Sequence, residues 1–186
     1  MVGIMQLWLP ILLSAVLVFA ASSVIHMMTK WHAGDFAALP NEDKTMDALR
    51  GLNIPPGDYM MPRAGSMEGM KSPEFQAKFA KGPVAMMTVM PGGKMDMTKP
   101  LINWFIFSIV VSIFAAYVAG RALPAGTDYL HVFRFASVTA FIGYALGQWP
   151  QTIWYHKPWM ATMRNTIDGL LYGMLTAGAF GWLWPK

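Results

Sequence analysis

Residues 101–120 read LINWFIFSIVVSIFAAYVAG, a run without a single charged side chain. A helix needs about 20 mostly apolar residues to cross a bilayer, so this stretch predicts a membrane-spanning helix. Working outward, residues 6–28 and 130–149 repeat the pattern. So does a helix over 159–184, whose apolar part runs from Asn165 to Trp184. Inside lipid only helices or closed barrels satisfy every backbone N–H and C=O. Four such segments in a chain of 186 residues leave too little polar surface to cover them as a soluble core. The expected fold class is therefore an all-α integral membrane protein, one membrane domain over 1–186. It has four transmembrane helices, with a long, partly helical interfacial loop at 29–100 between helices 1 and 2.

Composition points the same way. Hydrophobic residues make up 55% of the chain and charged ones 13%, against about a quarter charged in soluble domains. The formal charge of +4 raises nucleic acid as a partner, but there is no run of basic residues, so that class is excluded. The absence of Cys excludes disulfide frameworks, thiolate metal sites and cysteine nucleophiles. The first segment contains FAASS at 19–23, small residues suited to signal cleavage, yet no Lys or Arg precedes it. It reads as a retained helix, with Trp8 and Trp31 at headgroup level at its two ends.

The 29–100 loop holds nine Lys/Arg and eight Asp/Glu, most of the charge in the chain. Within it LPNEDKTMDALRG predicts a short helix capped by Asn41, with Glu42 and Asp43 at its positive end and Gly51 closing it. KSPEFQAKFAKG predicts another, with Ser72 as cap, Pro73 in the first turn, Phe75 and Phe79 on one face, and Gly82 as the stop. Its Lys71, Lys78 and Lys81 beside that Phe pair suit a helix lying on a membrane surface, or packing of the pair onto the bundle. With four spans both termini share one side. Lys30, Lys94, Lys99, Lys157 and Arg164 flank the loop side, against Arg121 and Lys186 on the other, so the positive-inside rule predicts a cytoplasmic loop and external termini. The expected setting is a bacterial inner membrane.

In the last span Gly169, Gly173, Ala177 and Gly181 recur every four residues and form one groove on a helix of 3.6 residues per turn. The third span offers Ala136, Ala140, Gly143 and Gly147, and the second Ala116 and Gly120. Such grooves let helix backbones approach closely. Packing within the bundle is the first reading, and a partner's helix or a lipid the second.

Few side chains suggest chemistry. Arg164 and Asp168 are four residues apart on one helix face and are expected to pair. An acid one turn inside the membrane is a functional candidate as well as a structural one. Arg121, His131 and Arg134, near the opposite surface, suit a lipid phosphate or a quinone-like headgroup, with snorkelling of Arg134 as the alternative. His26 and His131 begin in different leaflets, which argues against an axial pair for haem. His26, His32 and His156 share the inner side without a local spacing signature for metal. Among 17 Met, the loop concentrates Met60, Met61, Met67, Met70, Met95 and Met97. Thioethers favour Cu(I), whereas Met also fills irregular apolar surfaces.

No GxSxG, HExxH, P-loop or dinucleotide fingerprint occurs. The function expected is that of a non-catalytic accessory or organising subunit of a larger membrane complex. Its partners are the lipid bilayer and other membrane-protein subunits or a second copy. One alternative is a soft-metal protein handling copper through the Met-rich loop. Another is a small membrane enzyme or transporter component using Asp168, His131 and Arg134.

Overall fold

The computed structural model describes all residues from Met1 to Lys186. In chain order the elements are α1 (Trp8–Met28), α2 (Glu42–Gly51), β1 (Gly57–Met61), α3 (Met67–Lys71), α4 (Pro73–Lys81), β2 (Ala85–Val89), α5 (Thr98–Ala122), α6 (Tyr129–Tyr144), α7 (Trp149–Tyr155) and α8 (Trp159–Trp182). They divide into two compact units, one of Met1–Ala37 with Asp96–Lys186, the other of Ala38–Met95.

Three stretches of the first unit are long and apolar enough to cross a membrane: Ile4–Met28, Thr98–Ala122 and Tyr129–Tyr155. The fourth long helix, α8, carries Arg164, Asn165 and Asp168 near its start and does not stand among them. It is nonetheless built into the same ring, with α1 against α5 and α8, and α6 against α5 and α8. The third segment is not one regular helix. α6 stops at Tyr144, a 3-10 turn at Leu146–Gln148 follows, and α7 continues from Trp149 with Pro150 in its first turn.

Small side chains let these helices approach. Between α1 and α5 the residues are serines: Ser14 Oγ donates to Ser112 Oγ at 2.9 Å, and Ser112 Oγ donates to the Ser108 carbonyl at 2.8 Å. All three are buried. Between α6 and α8 the residues are glycine and alanine. A Cβ added at Gly169 would lie 2.7 Å from the Ala145 Cβ, and one at Gly181 would lie 2.6 Å from the Tyr129 ring. Ala177, Ala136 and Ala140 are fully buried. The ladder of α8 is thus occupied within the chain.

Two residues expected in the matching groove lie elsewhere. Gly143 faces Val111 of α5, with 3.1 Å between that side chain and an added Cβ, and nothing stands within 4 Å of Gly147. The α8 glycines lie instead along Ser137, Phe141 and Ala145, and the helix breaks before Gly147.

The unit Ala38–Met95 contains structure that helical periodicity does not announce. β1 and β2 pair antiparallel with Tyr59 opposite Met87 and Met60 opposite Met86. α4 forms as its sequence predicts: Ser72 Oγ accepts from the Phe75 amide at 3.2 Å, and the Phe75 and Phe79 rings are 5.8 Å apart. Asn41 departs from expectation. It stands before α2 in a left-handed conformation with φ 53°, and its side chain makes no capping hydrogen bond. Its carbonyl instead accepts from the Thr45 amide at 3.1 Å.

Candidate functional site

α1 presents His26 in its last turn and ends at Met28. The chain then folds back in two tight turns, with the Ala33 amide bonded to the Lys30 carbonyl at 3.1 Å and the Asp35 amide to the His32 carbonyl at 3.0 Å. Thr29 helps set the first turn, because its Oγ1 accepts from the Trp31 amide at 3.2 Å. These turns bring Trp31, His32 and Asp35 onto the start of α8, where Arg164 and Asp168 are one helical turn apart.

Asp168 is 5% exposed, so its carboxylate needs partners inside the protein. It has them. The Trp31 indole N–H donates to Oδ1 at 3.0 Å, and His32 Nε2 lies 2.6 Å from Oδ2. The other His32 nitrogen, Nδ1, lies 2.6 Å from Asp35 Oδ2, and Arg164 donates to Asp35 Oδ1 at 2.5 Å. An ionised carboxylate only accepts, so each of the two imidazole–carboxylate contacts carries one proton. The row Asp168, His32, Asp35, Arg164 alternates acidic and basic side chains. Burial pushes the Asp35 carboxyl upward, but the hydrogen bonds from His32 and Arg164 together outweigh it and hold the pKa below its ordinary 3.8.

His26 completes the cluster. Its ring stacks on His32 with centroids 4.2 Å apart and planes 14° from parallel, and its Nε2 stands 3.9 Å from Asp168 Oδ2. One ligand atom each from His26, His32 and Asp168 lie within 4.8 Å of one another. One turn further along α8, the hydroxyl of Tyr172 is buried without a hydrogen-bond partner. Its ring packs on Tyr144 at 5.5 Å and on Trp104 at 6.0 Å.

The expected pairing of Arg164 with Asp168 is replaced. Arg164 binds Asp35, and Asp168 binds Trp31 and His32. Helical spacing brings Arg164 and Asp168 to one face, but each finds a closer partner in the 31–35 turn. The sequence alone places His32 on the inner side without a metal spacing and Trp31 at headgroup level, and it gives Asp35 no role. The one signal available was that His26, His32 and Asp35 fall within ten positions at the end of the first span.

At the other end of the bundle the three residues proposed for a lipid or quinone-like ligand are engaged separately. His131 Nδ1 bonds Asp128, the cap of α6, and Arg121 lies over the Tyr117 ring at 5.7 Å. Arg134 is exposed. The bond to His131, first among several, holds the Asp128 carboxyl below its ordinary 3.8. Tyr129 against Gly181 puts this end at the C-terminus of α8, whereas His26 lies by Asp168 near its N-terminus. His26 and His131 therefore lie at opposite ends of the bundle.

The methionines are spread over different elements. Met60 and Met61 are successive in β1 and so point to opposite faces, and Met67 and Met70 are three apart in α3. Met95 ends the second unit and Met97 precedes α5 in the first. All six are exposed. His156 occupies a left-handed position after α7, with φ 55°. No protein-family model, no curated protein and no solved structure matches the chain.

Proposed function

We propose that this chain is a non-catalytic membrane protein, an accessory or organising subunit that anchors its polar unit of residues 38–95 beside a larger membrane assembly. Four helices cross the bilayer in this reading, α8 with them, its Arg164 and Asp168 neutralised at the interface. The observation that carries it is the tie from Asp168 to Trp31 and His32. A free linker needs no such bonds. Fixing residues 29–37 to α8 defines where the chain leaves the membrane, as a display platform requires. The reading further places the loop in the cytoplasm and the termini outside a bacterial inner membrane, on the strength of Lys30, Lys94, Lys99 and Lys157.

Photo-crosslinking in native membranes tests this reading. With a photoreactive residue at Phe114, 62% exposed on α5, and another at Met67 in the polar unit, the expected result is a discrete protein adduct, either to another subunit or to a second copy. Adducts to lipid alone at both positions would overturn it.

A second reading, Cu(I) handling, rests on one observation. Met60 and Met86 stand directly opposite each other on the ladder, both about half exposed, so two thioethers share one face.

A further inference from the structure

We infer that His26, His32 and Asp168 form a binding site for a divalent transition ion of the zinc class, with Asp35 as the positioning residue behind it. This goes beyond the subunit reading and does not depend on it.

The donor set is two imidazole nitrogens and one carboxylate oxygen, a combination used by three-ligand zinc sites that keep a fourth position open. The three donor atoms already converge, all within 4.8 Å of one another. Around a tetrahedral ion with bonds of about 2.0–2.1 Å, ligand atoms stand roughly 3.3 Å apart. His26 Nε2 and Asp168 Oδ2, at 3.9 Å, must close slightly, while His32 Nε2 and Asp168 Oδ2, at 2.6 Å, must open. One of the two stacked imidazoles must also turn out of the stack, because both in-plane lone pairs have to point at one ion; all three adjustments are side-chain rotations. The ion takes the place of the hydrogen bond between His32 Nε2 and Asp168 Oδ2.

The surroundings are arranged as a metal site requires. A ligating histidine is usually oriented by a carboxylate that accepts from its other ring nitrogen. Asp35 does this at Nδ1 of His32, at 2.6 Å, and is itself held by Arg164. Trp31 occupies Asp168 Oδ1, which leaves Oδ2 directed at both histidines. His26 is 47% exposed and makes no hydrogen bond through its ring, so a donor stands idle at the mouth of the site. A cleft of about 550 Å³ lined by Ile25, Thr29, Lys30, Trp31 and Asp168 reaches the carboxylate side of the site. The alternation of acidic and basic side chains explains why His32 meets two carboxylates, but it leaves the stacked, unbonded His26 without a role.

The test uses the full chain in mild detergent after chelator treatment. Zn(II) should bind one ion per chain, and Co(II) in its place should give the intense ligand-field bands of a tetrahedral site with nitrogen and oxygen donors. His26→Ala is the decisive variant, because this half-exposed ring makes no hydrogen bond, and the metal-free melting temperature is measured beside the affinity to separate lost stacking on His32 from a lost ligand. Affinity should fall at least about a hundredfold and the Co(II) bands should change. Asp35→Asn should weaken binding about 10–100-fold, the range for a residue that orients a ligand, and Asp35→Glu should restore part of it. His156→Ala should bind as the unaltered chain does. Absence of stoichiometric binding, or undiminished binding in His26→Ala, would overturn the inference.

Discussion

A Cβ added to Gly173 would stand 3.1 Å from the carbonyl oxygen of Ser137, a backbone atom on the facing helix that has no freedom to turn aside. Gly173→Leu should therefore force α6 and α8 apart and cost about 1–3 kcal/mol, the usual range for overpacking. Gly147, with nothing within 4 Å, provides the contrast: Gly147→Leu should leave the melting temperature in detergent unchanged. Equal melting temperatures for both variants would show that the ladder is not a packing surface.

The cap of α6 should loosen in acid. The Asp128 carboxylate accepts from the amides of Leu130 and His131 at 3.1 and 3.3 Å, and its pKa is depressed from 3.8. A depressed carboxyl contributes stability that is present above its unfolded pKa and lost as pH falls through the folded value. Hydrogen exchange at those two amides, corrected for intrinsic rate, should stay slow above pH ~4 and accelerate below it. Asp128→Asn should remove the pH dependence. Exchange that is flat with pH in the unaltered chain would contradict this.

Orientation can be read chemically, since the chain has no Cys to give background. A cysteine at exposed Ser66 should resist a membrane-impermeant thiol reagent in intact cells, while one at Lys186 should react. The opposite pattern would invert the assignment.

Copper separates two roles for the same methionines. If thioethers make a site, Met67 and Met70 changed together to Leu, or Met60 and Met86 changed together, should retain the fold and lose Cu(I) binding. Thioethers lose no proton on binding, so affinity should hold as pH falls. Binding that weakens with acidity would point to imidazole instead, and no binding at all would leave these side chains as apolar filler.

The apolar helices could be read from sequence because lipid imposes a long, one-dimensional signal: 101–120 needs no neighbour to be recognised. α4 was equally legible, since Ser72, Pro73 and Gly82 each act within a turn of their own position. The β1–β2 ladder was not, because pairing Gly57 with Val89 depends on a register set across thirty-two positions. The site fell between these cases. Asp168 stands out as an acid one turn inside the membrane, but its partners Trp31 and His32 lie 137 and 136 positions away. The i, i+4 rule supplied Arg164 as a local partner, and a turn after α1 took both residues instead.

That separation also has a meaning in time. Trp31 leaves the ribosome 137 residues before Asp168, on the order of ten seconds at 5–20 residues per second. Through that interval His32 and Asp35 have no α8 to bind. A chain stopped short of α8 would therefore keep the locally bonded turn after α1 but leave His32 and Asp35 without Asp168 and Arg164.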